Sequence, residues 1–367
     1  MGEIRPFTAE FAPDTARLFF RAMRGQTREP GVSLPGYMCD LLLGNPWVSD
    51  DIPSWVYMEE GRVVGALLLL PRTMEFRGQT IRVATTTTFM VDPDYRKGRA
   101  ALGLLRRCFQ GPQDLTWVDG GGEVLATPWA GAGGSRATAY AFNWIRMLRP
   151  FEAGRGVLDR VGGAPALFKS AAGLVTGALD WTLSKLPVPM FKAPVSTYSA
   201  RLVSTEELLE CIEEIGWHAH LKPRYELSSF RWLMEQVAAS HRHGELRAMT
   251  VTDPTGIRCG WFVYYAKRGG ASMTLQIGAR RGNYFDNTLL ALFRDAWEQG
   301  STAVKGQSMP QHLTALTNHY CIFRHPFPMT LFYTKNQEIA TNIFSGGAAI
   351  SRLDGTFWNR FPLETWD

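Results

Sequence analysis

The sequence predicts an α/β protein made of two similar domains, each a mixed, mainly antiparallel sheet flanked by helices. Three observations lead to this prediction. The chain has 367 residues, which is long for one ordinary hydrophobic core and suitable for two domains. Its first half alternates β-rich runs with amphipathic helical segments. Its second half repeats that order more loosely, as expected of an internal duplication.

Each element of the first half has a local signal. Apolar residues recur at helical spacing after Asp14, and Glu60-Gly61 is a tight hairpin between two β-rich runs. The predicted strands are Glu3–Pro6, Ser54–Glu59, Arg62–Met74, Ile81–Val91, Leu115–Val118 and Tyr140–Met147, and the predicted helices are Pro13–Met23, Tyr37–Leu43, Ala100–Phe109 and Val124–Trp129.

The stretch from Ile81 to Phe109 is the most informative in the chain. It reads as a strand, a short turn with the cationic residues Arg96, Lys97 and Arg99, and then an amphipathic helix. Such a turn directs unpaired backbone N–H groups and the positive end of a helix dipole at one point. The sequence therefore predicts a phosphate-binding turn here.

The same turn resembles a family signature. Val91-Asp92-Pro93-Asp94-Tyr95-Arg96, followed by small residues and Leu104-Leu105, is similar to the acyl-CoA motif of the GNAT acyltransferases, V-x-P-x-Y-R-G-x-G-x-G/A-x-x-L-L. In this family the turn holds the pyrophosphate of coenzyme A through backbone amides. Lys97 and Arg99 stand where glycine is usual and Gly98 remains, which narrows the conformations available to the turn. The order of strands and helices also matches this fold.

The second half has the corresponding elements. Ser204 to Glu207 is a capping pattern at a helix start, and Asp253 to Gly256 is a turn between two strands. The predicted strands are Tyr198–Val203, Leu246–Thr252, Gly260–Ala266, Ser272–Ile277, Ala303–Lys305 and Met329–Tyr333, and the predicted helices are Thr205–Gly216, Leu227–Ser240, Tyr284–Gln299 and Pro310–His319.

Composition shifts mark the boundaries. Residues 151–194 are rich in Gly, Ala and Pro with spaced large apolar residues; we interpret them as a helical connector, either an inter-domain packing helix or a lid over an acyl chain. The predicted domains are 1–150, which binds the acyl donor, and 195–367, which lies on the acceptor side. The second copy has a basic turn at Gly278–Asn283 without the V-x-P-x-Y-R lead-in, so donor binding is assigned to the first.

The resemblance implies a set of donor contacts. The backbone of the strand before the turn contacts pantetheine and the thioester, and the turn amides and cationic side chains hold the pyrophosphate. By β alternation, two of the threonines Thr85 to Thr88 are expected to face the cleft. The donor-binding residues implied are Phe89, Met90, Val91, Arg96, Lys97, Gly98, Arg99, Ala100 and Ala101.

Catalytic groups are harder to assign because members of the family use different ones. Asp119 and Glu123 follow the fifth strand and are the candidates for a general base. Tyr320 lies near the place where some family members keep a tyrosine that protonates the leaving thiolate. His218 and His220 share one face if extended, but no third ligand accompanies them, so no metal is expected.

Composition limits the partners and the compartment. The net charge is +5, without a block of Lys and Arg interleaved with aromatic residues, so no nucleic acid is expected as partner. The five cysteines are scattered and never in C-x-x-C spacing, which indicates reduced thiols. No apolar run is long enough for a membrane span. We therefore expect a soluble cytoplasmic protein.

The predicted function is N-acyl transfer. The acyl group would pass from acyl-CoA, or from the phosphopantetheine of an acyl carrier protein, to an amine of a small molecule or peptide. The amine attacks the thioester directly, without a covalent enzyme intermediate. Two alternatives stay open: a FemX-like ligase that uses aminoacyl-tRNA, and a non-catalytic acyl-CoA binding protein.

Overall fold

The computed structural model describes residues 2–96, 98–154, 179–180, 182, 193–324, 329–362 and 364–367. These residues form two mixed, mainly antiparallel sheets with helices packed on their faces, which confirms the predicted fold class. Lys97 and most of the predicted connector 151–194 lie outside the described residues.

The first sheet has eight strands in the order β1-β2-β3-β4-β5-β15-β6, and β9 pairs with β3 beside this path. Only β4 and β5 are parallel neighbours here. At the β2–β3 hairpin, Glu60 and Gly61 have φ of 50° and 74°, as the predicted tight turn requires. Its strands are β1 (Glu3–Pro6), β2 (Trp55–Glu59), β3 (Arg62–Phe76), β4 (Gln79–Val91), β5 (Leu115–Gly121), β6 (Ser135–Arg136), β9 (Leu221–Pro223) and β15 (Met329–Tyr333).

The second sheet has seven strands in the order β14-β7-β13-β12-β11-β10-β8. Its parallel pair is β12 with β13, the counterpart of β4 with β5. Its strands are β7 (Asn143–Met147), β8 (Ser199–Leu202), β10 (Glu245–Thr252), β11 (Arg258–Ala266), β12 (Ala271–Ala279), β13 (Ala303–Gln307) and β14 (Ile322–Arg324).

The helices follow their sequence signals closely. The predicted capping box is present, because Ser204 accepts from the amide of Glu207 and the Glu207 side chain accepts in return. Within the described ranges, no helix has the length and apolar character needed to cross a bilayer. The helices are α1 (Ala12–Phe19), α2 (Ser33–Leu42), α3 (Ala100–Phe109), α4 (Glu123–Gly131), α5 (Thr138–Ala141), α6 (Thr205–Ile215), α7 (Leu227–Ala238), α8 (Tyr284–Glu298), α9 (Leu313–Asn318) and α10 (Gln337–Phe344).

The two sheets exchange strands. The predicted last strand of the first half is Tyr140–Met147. Its residues Asn143–Met147 form β7 in the second sheet and pair with β13 and β14, whereas Tyr140 and Ala141 belong to α5. Conversely, Met329–Tyr333 forms β15, which pairs with β5 in the first sheet. Each half therefore contributes a strand to the sheet of the other half, and the domain bounds 1–150 and 195–367 stay a prediction.

A shared core joins the sheets. One cluster of buried side chains contains Phe19 and Leu68 from the first half together with Phe230, Trp261 and Trp358 from the second. These side chains are at most 1% exposed. Because apolar burial is the main stabilising term in folding, we expect the two sheets to unfold together.

A half-buried histidine gives a testable pH dependence. His312 stacks on Phe285 at 3.6 Å between ring centroids, and burial, followed by the charge of His218, lowers the pKa of His312 to about 3. The unfolded chain binds this proton below its ordinary pKa of about 6.5, so between pH 6.5 and 3 the unfolded state holds more protons and stability falls as the pH is lowered.

We expect His312→Gln to remove part of that acid sensitivity. The loss of unfolding free energy between pH 7 and 5 should shrink by about 1 to 2 kcal/mol, measured by urea unfolding at each pH. His241→Gln, at an exposed histidine, is the matched control and should leave the profile unchanged. Identical profiles for wild type and His312→Gln would contradict the assignment.

Candidate functional site

The parallel strands β4 and β5 separate into a wedge. Their pairing covers Val83–Thr85 against Leu115–Trp117, whereas the strands run on to Val91 and Gly121. Beyond Thr85 the two strands therefore leave backbone groups on their facing edges for other partners. The wedge opens toward the predicted phosphate turn, which follows Val91.

A β-bulge lies just past the apex of the wedge. The register between β3 and β4 shifts so that Leu68 faces Thr88 and Leu69 faces Thr86, which leaves Thr87 as the extra residue. The Thr87 hydroxyl donates to the Leu68 carbonyl at 3.1 Å. Because a bulge breaks the alternation of side chains, three successive threonines, Thr86 to Thr88, line the cavity in the wedge, where simple alternation predicted two of the four.

The cavity is large and mostly apolar. Its volume is about 920 Å³, near the upper end of the usual range for ligand pockets. It extends from the turn along β4 and is bounded by α1, by β5 and α4, and by a segment near the C-terminal end. Its apolar walls include Phe19, Met23, Phe89, Val118, Leu125 and Phe361.

The cationic turn forms one end of this cavity. Arg96, Gly98 and Ala101 line it, and the Arg96 guanidinium donates to the Ala22 carbonyl at 3.3 Å. Helix α3 begins at Ala100 without a side-chain cap on its N-terminal amides. An uncapped helix start at the end of a cavity is an anion-binding arrangement.

The departure from the family pattern at Arg99 carries no strain. Arg99 has φ −88° and ψ −7°, a right-handed conformation that any residue adopts. The acidic residues of the turn are already neutralised, because Arg21 pairs with Asp92 at 3.1 Å and also with Asp94. Arg96 and Arg99 are exposed and are therefore available to a ligand.

The structure brings most predicted donor-binding residues to one place. Phe89, Met90 and Val91 line the cavity from the strand, and Arg96, Gly98 and Ala101 line it from the turn. Arg99 and Ala100 are adjacent at the start of α3, Arg99 exposed and Ala100 buried. Lys97 lies outside the described residues.

Sequence reasoning missed the segment near the C-terminal end that closes the wedge. The Thr356 hydroxyl donates to the Thr86 carbonyl at 3.2 Å, and the Asn359 amide donates to the Thr87 carbonyl at 3.4 Å. Phe361 packs against Phe19 and lines the cavity. Residues 351–362 have neither helical nor strand periodicity, so no sequence pattern marked them. The missed glycines Gly120 to Gly122, which also line the cavity, had a visible signal as a glycine run after a buried strand.

Asp119 is buried behind the wedge. Its carboxylate oxygens accept from the Thr356 amide at 3.2 and 3.3 Å. Burial raises the pKa of Asp119, opposed by the Thr356 amide and by the charge of Arg352. A Cβ at Gly355 would lie 2.1 Å from an Asp119 oxygen, so this approach requires glycine. Asp119 thus anchors the segment that closes the wedge, and its role as general base stays a prediction.

We expect Asp119→Ala to lower the free energy of unfolding by about 2 to 3 kcal/mol, because it leaves the buried Thr356 amide unpaired and removes the charge facing Arg352. Urea unfolding measures this loss. Asp119→Asn keeps an acceptor for the Thr356 amide and so separates the anchoring role of Asp119 from a role as general base. A loss of activity of about 100-fold at near-normal stability would support the general base. An Ala variant as stable as wild type would contradict the anchoring role.

The other predicted catalytic residues are not brought to Asp119. Glu123 is exposed at the start of α4, next to the cavity-lining Gly122 and Val124. Tyr320 is 42% exposed beside α9, with Arg146 5.6 Å from its ring. Neither lines the described cavity, and their catalytic roles stay predictions.

In the corresponding wedge of the second sheet, a backbone amide is hydrogen-bonded to the bulge. The pairing of β12 with β13 covers Ala271–Met273 against Ala303–Lys305, and Leu275 is the bulged residue there. The Leu353 amide donates to the Leu275 carbonyl at 3.2 Å. The basic turn after β12 is also engaged, because Arg280 pairs with Glu214.

The histidines singled out in the sequence do not form a cluster with other ligands. His218 accepts from Arg281 at 3.3 Å. Within the described ranges, no group of three or more His, Cys, Asp or Glu side chains is placed to hold a metal ion. The five cysteines are unpaired, and all except Cys39 are buried.

Comparisons with known proteins agree with this architecture. The family profile described as acetyltransferase (GNAT) domain matches residues 3–114. No curated protein matches by sequence. The matched range includes β1 to β4, the cationic turn and α3.

Solved structures resemble the chain over most of its length. A conserved protein of unknown function from Enterococcus faecalis V583, described as a probable N-acyltransferase, has a TM-score of 0.58 at 9% identity and covers 91% of this chain and 73% of its own. A GCN5-related N-acetyltransferase from Anabaena variabilis has a TM-score of 0.58 at 12% sequence identity, and the match covers 92% of this chain and 74% of that protein. The N-myristoyltransferase of Saccharomyces cerevisiae with bound myristoyl-CoA has a TM-score of 0.50 at 12% sequence identity, and the match covers 90% of this chain and 77% of that protein. At such low identities these likenesses concern the fold alone.

Proposed function

We propose that the protein transfers an acyl group from acyl-CoA to the amine of a small molecule or peptide, since residues 3–114 match the acetyltransferase (GNAT) domain profile. The observation that carries the proposal is the β4–β5 wedge, whose cavity ends at the uncapped, cationic start of α3. A thioester lying along the wedge would have its diphosphate at that helix start. Its carbonyl would lie near the backbone of the Thr87 bulge, where polar groups can stabilise developing negative charge.

The first sheet is the donor side in this proposal. Its wedge holds the cavity, whereas Leu353 enters the counterpart wedge of the second sheet. The cationic turn of the first sheet lines the cavity, whereas Arg280 in the second sheet is paired with Glu214. An acyl carrier protein could present the same phosphopantetheine arm, with less contact at the turn.

We also propose that the transferred acyl chain is longer than acetyl. Besides the threonines, the cavity has an apolar wall that includes Phe19, Val118, Leu125 and Phe361. Each methylene buried against such a wall contributes about 0.8 kcal/mol. The structurally similar yeast protein binds myristoyl-CoA.

Gly120 offers a test of chain length. It lines the cavity, and a Cβ added there meets no atom within 4 Å, so a larger side chain would enter the cavity without displacing protein atoms. We expect Gly120→Leu to lower kcat/KM for a dodecanoyl or longer donor at least tenfold, and to change acetyl-CoA turnover much less. Gly120→Ala is the matched control. Equal losses for short and long donors would contradict the chain-length proposal.

The activity itself is tested by the release of free CoA thiol. Purified protein would be incubated with acyl-CoA donors from acetyl to palmitoyl and with a panel of primary amines and N-terminal peptides. We expect amine-dependent thiol release and amide formation by mass spectrometry. Donor binding in calorimetry without amide formation across the panel would favour a non-catalytic acyl-CoA binding protein. The absence of binding to every donor would overturn the proposal.

A further inference from the structure

A second pocket lies at the other end of β3 and β4. Arg72 on β3 is paired with Val83 near the start of β4, whereas the donor cavity uses Thr86 to Val91. The pocket has a volume of about 290 Å³ and shares no lining residue with the donor cavity. We call it the Arg72 pocket; its lining includes Trp47, Ile52, Arg72, Arg224, Glu226 and Ser228.

Arg72 is an unusual residue for such a place. It is 8% exposed, and among the described residues its Nε and Nη2 atoms have no hydrogen-bond partner. A guanidinium carries five N–H donors, and leaving them unpaired in a buried site is costly. The Trp47 ring lies 4.1 Å from its Cζ atom and holds the guanidinium by a cation–π contact.

The nearest acidic side chain does not satisfy Arg72. Asp354 attracts its charge, but the Asp354 oxygens accept from Tyr225, Ser351 and Gln276 instead. Burial lowers the pKa of Arg72 to about 10, so it is still protonated at neutral pH. A separate small cavity of about 10 Å³ is lined by Arg72 together with Asp354 and Tyr225. Two further arginines line the pocket: Arg224 donates to Thr80 at 2.6 Å, and Arg82 pairs with Asp51.

We propose that the Arg72 pocket binds a small monocarboxylic acid, with its carboxylate on the Arg72 guanidinium and its apolar body against Trp47 and Ile52. Guanidinium groups bind carboxylates through two parallel hydrogen bonds. Glu226 on the rim opposes a dianion such as phosphate. The volume, at the low end for ligand pockets, suits a ligand of about ten non-hydrogen atoms. This site is independent of acyl transfer.

Fluorine NMR with 4-fluorobenzoate tests the proposal on the intact protein. We expect saturable broadening with a Kd of 10 mM or below, and at least tenfold weaker binding of 4-fluorobenzamide, which has the same shape without the charge. Arg72→Gln should weaken the binding of 4-fluorobenzoate at least tenfold, and Arg72→Lys should recover only part of that affinity. Arg62→Gln, at an exposed position of the same strand, is the matched control and should bind normally.

A rim variant keeps the test decisive if Arg72→Gln does not fold. Ser228 is exposed on the rim, and Ser228→Trp should block entry and abolish binding without touching the core. The proposal is overturned by equal binding of the amide, by no binding up to 10 mM, by displacement of the probe by a lower concentration of inorganic phosphate, or by unchanged binding in Ser228→Trp.

Discussion

Ala101→Asp is expected to weaken CoA binding about 100-fold, or about 3 kcal/mol. Ala101 is in the first turn of α3 and lines the cavity at the cationic turn. A carboxylate there would face the diphosphate and repel it. The same charge favours the helix, because acidic side chains in a first turn interact well with the helix dipole. Affinity should therefore fall while the melting temperature stays the same or rises, as measured by calorimetry and thermal unfolding.

Ala101→Asn separates charge from bulk. It has nearly the shape of the Asp variant and no charge, so we expect its CoA affinity to lie within about fivefold of wild type, an effect below 1.4 kcal/mol. The same measurement is repeated at a higher salt concentration. The difference in CoA affinity between Ala101→Asp and Ala101→Asn should then become smaller, because salt screens exposed charges. Equal affinities for Ala101→Asp and wild type would place the diphosphate elsewhere.

The fragment 1–150 is expected not to fold alone. It lacks β15, which lies between β5 and β6 in the first sheet. Phe332 and Leu331 of that strand are at most 2% exposed, and each contributes about 1.5 to 3 kcal/mol by burial. Tyr333 stacks on Phe109 at 4.0 Å, and the Trp129 indole donates to the Phe332 carbonyl at 3.0 Å. These losses approach the whole stability of a typical domain.

Circular dichroism and the dispersion of amide NMR signals measure this outcome. Co-expression of 1–150 with 151–367 is the control, and we expect the two fragments to co-purify because the exchanged strands β7 and β15 hold them together. A fragment 1–150 that unfolds cooperatively as a monomer would contradict the interlocked architecture.

Local features of the fold could be predicted from the sequence. Helix α3 spans Ala100–Phe109 as its amphipathic spacing indicates, and the Glu60-Gly61 hairpin has the left-handed backbone that its residues favour. Six of the residues that the family-like motif predicts to bind the donor line the cavity of the β4–β5 wedge. These features depend on residues that are close together in the chain, so a single sequence is enough to recognise them.

The exchange of strands could not be predicted in this way. A five-residue run such as Met329–Tyr333 has the composition of a strand. It does not indicate which strand it will pair with, because pairing is set by the packing of distant segments. The bulge at Thr87 likewise depends on its register with β3 and changes which threonines face the cavity. The Arg72 pocket depends on Trp47 and Arg224, which meet only in the fold.

In the proposed complex, acyl-CoA lies in the β4–β5 wedge with its diphosphate at the start of α3. Crystals grown with a non-hydrolysable acyl-CoA analogue test it most directly. We predict density for the diphosphate within hydrogen-bond distance of the backbone amides of Gly98 to Ala101, and for the acyl chain between Phe19 and Val118. An analogue bound outside the wedge, with the turn occupied by the protein's own arginine side chains, would contradict the account.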